Sequence, residues 1–177
     1  CHVQGGASRV AIDEAVALQA LGLDVTFLGA VGPVDDALRA GDVKTLCLDQ
    51  PDLTSVGQSP LVAAQALWNQ PALRATQDIL AAMDPRRTVV HLHGYTKALS
   101  TTPALAAHKA RFPTVCTLHD FFAACPNGAF FDYRLQAPCT LVGLSAACAV
   151  RSCDKRHSAH KAYRFVRGMA QRFVARF

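Results

Sequence analysis

Apolar residues recur along the chain at two different periods, and the exchange between those periods outlines the elements. Over residues 7–21, Val10, Ala11, Ala15, Leu18 and Leu21 fall on one helical face. Ser8 is early enough to cap this helix, and Gly22 can take the left-handed conformation that ends one. The segment 5–28 therefore reads as glycine loop, helix, turn and strand, the strand occupying 25–31. A short helix at 34–40 and a second apolar run at 44–48 follow. Residues 49–60 carry turn residues and no period. Two helices, 61–68 and 72–83, are then separated by Asn69-Gln70-Pro71 and closed by Asp84-Pro85. Residues 88–93 and 114–119 are β-branched apolar runs with little alternation, which predicts strands covered on both faces, with a helix at 103–111 between them. Strands alternating with helices imply an α/β fold with a parallel sheet. Beyond Asp120 the pattern dissolves into an aromatic, cysteine-bearing loop, and an amphipathic helix over about 158–177 ends the chain.

Composition narrows the class. The 177 residues are 51% apolar and 18% charged, with 11 Gly and 9 Pro, which excludes collagenous, low-complexity and disordered chains and predicts one domain. Apolar runs break well before ~18 residues, so no membrane span is expected, and no signal-peptide pattern opens the chain. The chain starts at Cys1, and Gly5-Gly6 looks like the loop after a strand that is not present, so the native N-terminus is expected upstream. The net charge of +5 is uneven. Residues 1–150 carry a net −2, whereas 151–177 hold eight basic side chains against Asp154 alone, a net +7. Seven cysteines are an odd number, and four of them lie between Cys125 and Cys153, which favours a local metal or thiol site over a secreted disulfide framework.

Four sets of residues can carry chemistry. In an open α/β sheet, ligands bind beyond the carboxyl ends of the strands. There Gly5 and Gly6 open a helix whose unpaired N–H groups and dipole favour an anion such as a diphosphate; the plainer reading is a tight turn. His91 and His93, followed by Gly94, end a strand. They are expected on opposite faces, with His93 nearest the crevice as a proton-transfer or hydroxyl-binding group and His91 as a core histidine. His119 and Asp120 end the next strand, where Asp120 either orients a sugar hydroxyl or caps a loop. Cys125, Cys139, Cys148 and Cys153 are four thiols spaced to enclose a structural zinc, with buried reduced thiols or disulfides as alternatives. On the C-terminal helix, Tyr163, Val166, Ala170, Phe173 and Phe177 form the apolar stripe expected in the core. Arg156, His160, Arg164, Arg167 and Gln171 form a basic face for solvent, an anionic membrane surface or phosphates.

The stretch GGASRVAIDEAVALQALGLDVTFL resembles the opening of the acceptor-side domain of the retaining glycosyltransferases of group 1, or family four, which have the B-type (GT-B) fold. VVHLHGYTKALS and TVCTLHDFFAACPNGAFF resemble two later strand-end motifs of that family, and the segment through SCDKRHSAHKAYR resembles a subset of its members. The resemblance implies a Rossmann-like parallel sheet flanked by helices, the N-terminal half of a GT-B fold, with a second, donor-binding domain absent and the first strand missing. That strand would lie between 25–31 and 88–93, so a gap or improvised pairing is expected there. By the same resemblance, His93 and Asp120 are catalytic, and Gly5, Gly6, Gly94 and His119 bind substrate. The donor is a nucleotide-sugar, the acceptor a glycan or glycolipid in polysaccharide assembly, and no metal is needed at the chemical step. Such an enzyme is cytoplasmic, with the basic helix placing it at the inner face of the plasma membrane. No nucleic acid is expected, although a zinc-stapled nucleic-acid-binding module is the alternative.

Overall fold

The computed structural model describes residues 1–3, 5–51, 60–94, 98–155 and 157–174. The turn-rich segment 52–59, residues 95–97 of the strand-end motif, Arg156, and the last three residues with Phe177 lie outside the described residues. The chain divides into two units, Cys1–His119 and Asp120–Phe177.

In the first unit, α1 (Gly6–Ala20) starts at Gly5, and Ser8 donates to the Gly5 carbonyl instead of capping free N–H groups. It ends as expected. Gly22 takes φ 86°, its N–H bonds Gln19 O, and the Leu23 N–H reaches back to Leu18 O, the paired closure of a left-handed helix stop. The buried face carries Ile12 and Ala15, whereas Val10, expected inside, is 46% exposed. Apolar residues lie nearly all round this helix, so their period constrains its orientation weakly. Contact with Leu38 and Val43, backed by Val25 and Phe27, decides it.

Strand β1 (Thr26–Gly29) pairs in parallel with β2 (Lys44–Cys47), Thr26 opposite Lys44, with α2 (Asp36–Ala40) between them capped by Asp35. Helices α3 (Pro60–Leu67) and α4 (Gln70–Ala81) follow. Strand β3 (Val90–His93) then connects through α5 (Thr102–Lys109) to β4 (Thr114–Thr117), again in parallel. Leu80 of α4, Ala107 of α5 and Phe112 form the second core, with Val90 of β3 against it.

The two strand pairs are separate two-stranded sheets, and among the described residues β1 does not pair with β3. The single continuous sheet of the fold class is therefore replaced by two ribbons with the expected interruption between them. A cleft of about 590 Å³ lies between the first ribbon (Thr26, Lys44, Leu46) and α4 (Ala75, Ile79). Strand β4 is also more open than its composition predicts: Thr114, Val115 and Cys116 are exposed, Val115 by 51%. Among the described residues β4 pairs with β3 alone, and an edge strand lacks the second covering that its apolar run suggests.

The second unit holds a small antiparallel pair, β5 (Phe131–Asp132) with β6 (Ala137–Pro138), then α6 (Ala146–Val150) capped by Ser145, and α7 (Ser158–Val174). The terminal helix is present, but its polarity is reversed. Lys161, Arg167 and Gln171 are buried, at 7% exposure or less, while Val166, Met169 and Phe173 are exposed. The buried Lys161 ammonium donates to the carbonyls of Cys148 and Arg151. Arg164 pairs with Asp154 at 3.4 Å and lies over the Phe122 ring, and Gly168 packs on Leu144. The carbonyls of Cys148 and Arg151 satisfy the Lys161 ammonium, which lets that cationic side chain be buried. No helix among the described residues is long and apolar enough to cross a membrane.

Candidate functional site

Strands β3 and β4 end side by side with His93 opposite Thr117. The side-chain period of a strand is two, so residues two apart share a face. His91 and His93 accordingly point the same way, their ring centroids 4.1 Å apart, and the expectation of opposite faces is corrected. It is Leu92, between them, that takes the other face and is buried. His91 is thereby moved out of the core and into the site.

Helix α1 runs along this histidine face and contributes Glu14. One carboxylate oxygen lies 2.7 Å from His91 Nδ1 and the other 3.5 Å from His93 Nε2. Thr117 of β4 places its hydroxyl 2.8 Å from His91 Nε2. His119, just past β4, places Nε2 3.1 Å from His93 Nδ1. The His93 side chain is only 13% exposed. Burial, helped by the neighbouring His91 and opposed by Glu14, pushes its pKa below the ordinary histidine value. A neutral imidazole can accept or donate a hydrogen bond. Glu14, His91 and His93 also bring three possible metal-ligand atoms within 4.8 Å of one another, the one such group among the described residues.

Gly94 turns the chain away from β3 with φ 50°, a conformation that disfavours a side chain, and a Cβ built there would stand 3.9 Å from that of Ala7. The end of β3 thus abuts the first turn of α1. Among the described residues, a Cβ at Gly5 or Gly6 would meet nothing within 4 Å.

Residues 4–175 match Glycosyltransferase Family 4. The chain belongs to this family. No curated protein and no solved structure matches it.

For this Glycosyltransferase Family 4 chain, five of the predicted site residues gather in the first unit: Gly5, Gly6, His93, Gly94 and His119. Asp120 begins the second unit, where one carboxylate oxygen accepts from the Phe122 N–H at 3.0 Å, the loop-capping arrangement. Cys125, Cys148 and Cys153 are buried and Cys139 partly so, all as free thiols. Asn127 links two of them, accepting from Cys125 Sγ at 3.0 Å and donating to Cys153 Sγ at 3.5 Å. Among the described residues no three of these sulfurs converge to within 4.8 Å.

Sequence reasoning missed Glu14 and Thr117. A signal for Glu14 existed: it lies seven residues after Ala7, so the helix face that begins at the glycine loop carries it back along β3. Thr117 required the register with β3, which a single sequence does not state.

Proposed function

We propose that this chain is the acceptor-side domain of an enzyme that transfers a glycosyl group, with retention, from a nucleotide-sugar to a glycan or glycolipid. The donor is held mainly by a second, donor-binding domain outside these 177 residues. The observation that carries the reading is the gathering, at the end of β3, of a largely buried histidine, a second histidine and a glycine turn at a helix N-terminus. In this reading His93 Nε2, which makes only the longer approach to Glu14, engages a sugar hydroxyl, while His119 steadies the ring through Nδ1. The N–H groups at Gly5 and Gly6 face developing negative charge on the departing diphosphate, an interaction that strengthens as the bond breaks. Asp120 is proposed as a second catalytic residue. Replacing His93 by Ala in the full-length enzyme is expected to lower turnover by about 10²–10⁴-fold, in the range for a lost proton-transfer partner. Wild-type turnover in that variant would withdraw the assignment.

Two further parts of the reading rest on the second unit. The four cysteines are proposed as a structural zinc staple, which would need their sulfurs to draw together on the ion; three of them are buried, and Asn127 joins Cys125 to Cys153. Metal analysis of purified protein is expected to find one zinc per chain more in the wild type than in Cys148→Ser. The enzyme works at the cytoplasmic face of the membrane, with the exposed Val166 and Met169 of α7 meeting lipid. The nucleic-acid alternative gains nothing from α7, because Lys161 and Arg167 are turned inward.

A further inference from the structure

We infer that Glu14, His91 and His93 form a binding site for a divalent transition-metal ion, in the first unit and separate from the four cysteines. Their ligand atoms lie within 4.8 Å of one another, a spacing that one central ion can bridge with small side-chain movements. Two imidazoles and one carboxylate suit zinc, iron, cobalt or manganese, whereas magnesium and calcium prefer oxygen ligands.

The orientation of the rings supports an ion more than the donor count does. His91 turns Nδ1 and His93 turns Nε2 toward Glu14, and the nitrogen on the far side of each ring is held by another residue. Thr117 Oγ1 lies 2.8 Å from His91 Nε2, and His119 Nε2 lies 3.1 Å from His93 Nδ1. When His91 donates to Thr117 and His93 to His119, both inward nitrogens carry lone pairs, and they face a carboxylate. Without an ion, the 2.7 Å contact between His91 Nδ1 and Glu14 is that of an N–H donating to the carboxylate, so a bound cation would take the place of that proton while each ring keeps its other proton on the outer nitrogen. Outer hydrogen bonds of this kind fix the tautomer and ring angle of metal-bound histidines. Glu14 and His91 keep about a third of their side-chain surface exposed, which leaves an entry path and room for water on the ion. The site does not depend on the transferase reading, but a bound ion would occupy His93 Nε2 and so compete with a sugar hydroxyl there.

The test is a Co²⁺ titration of the purified chain followed by visible absorption, with folding of each variant checked by circular dichroism. Expected is one equivalent of Co²⁺ whose bands lack the intense sulfur-to-cobalt charge transfer of a thiolate site. That population should be lost in Glu14→Gln and in His91→Ala, retained in Cys148→Ser, and weakened at least about tenfold in Thr117→Val, which removes only an outer hydrogen bond. Absence of such a population in the wild type, or its survival in Glu14→Gln and His91→Ala, would overturn the site.

Discussion

Asn69 is fully buried and uses every polar atom it has. Its side-chain oxygen accepts from Ala72 N at 3.0 Å, capping α4, and its amide donates to Ala98 O at 2.7 Å and to Gln50 Oε1 at 2.8 Å. Its own N–H donates to Ser100 Oγ, and its carbonyl accepts from Thr102 Oγ1. One residue thereby ties the starts of α4 and α5 together. Asn69→Ala removes a cap and strands buried partners, so a loss of about 2–4 kcal/mol is expected in urea denaturation. A loss within 0.5 kcal/mol, the size of an ordinary surface substitution, would show that the network contributes little. In the sequence Asn69 reads only as part of a break between helices, since partners 19 to 33 positions away leave no mark in a local pattern. The histidines show the same division. His93 and His119 are legible as polar residues ending apolar strands, but the contact between them exists only through strand pairing.

The Asp132–Arg151 contact links the β5–β6 turn to the residue after α6. Arg151 Nε donates to Asp132 at 2.6 Å, and the Asp132 carboxylate also accepts from the N–H groups of Arg134 and Leu135. The hydrogen bond from Arg151 is the main reason that this carboxyl is held below its ordinary pKa. A lowered folded-state pKa means that the stabilisation is fully present above the unfolded value of about 3.9 and is lost as pH falls through the folded value. Carboxyl NMR titration should find the Asp132 midpoint below that of a free aspartate, and Arg151→Ala should raise it. An unchanged midpoint in Arg151→Ala would assign the shift to the two backbone donors instead. The reversal of α7 is a lesson at this same scale. Its amphipathic period was legible, yet the carbonyls of Cys148 and Arg151, the Asp154 carboxylate and the Phe122 ring draw its cationic side inward.

For the molecule as a whole, the proposal places the donor mainly on a second, donor-binding domain. The 177-residue chain is therefore expected to show no nucleotide-sugar-dependent transfer, while the full-length enzyme does; transfer by the isolated chain, followed with labelled donor, would contradict the division of labour. Two parallel ribbons, each with its own helical core, replace one continuous sheet in the first unit. Their separation was expected from a missing central strand, whereas the exposure of β4 was not, because an apolar run does not say how many neighbours will cover it.

The sequence by itself determined the number and order of the principal helices and parallel strands, the stop at Gly22 and the family, because periodicity, turn residues and ordered motifs are all local properties of the chain. Only the tertiary structure decided which side of α1 and of α7 is buried, that His91 and His93 share a face with Glu14, and that Thr117 and His119 orient them. Those outcomes depend on which distant residues meet, and the energy of each contact belongs to the pair.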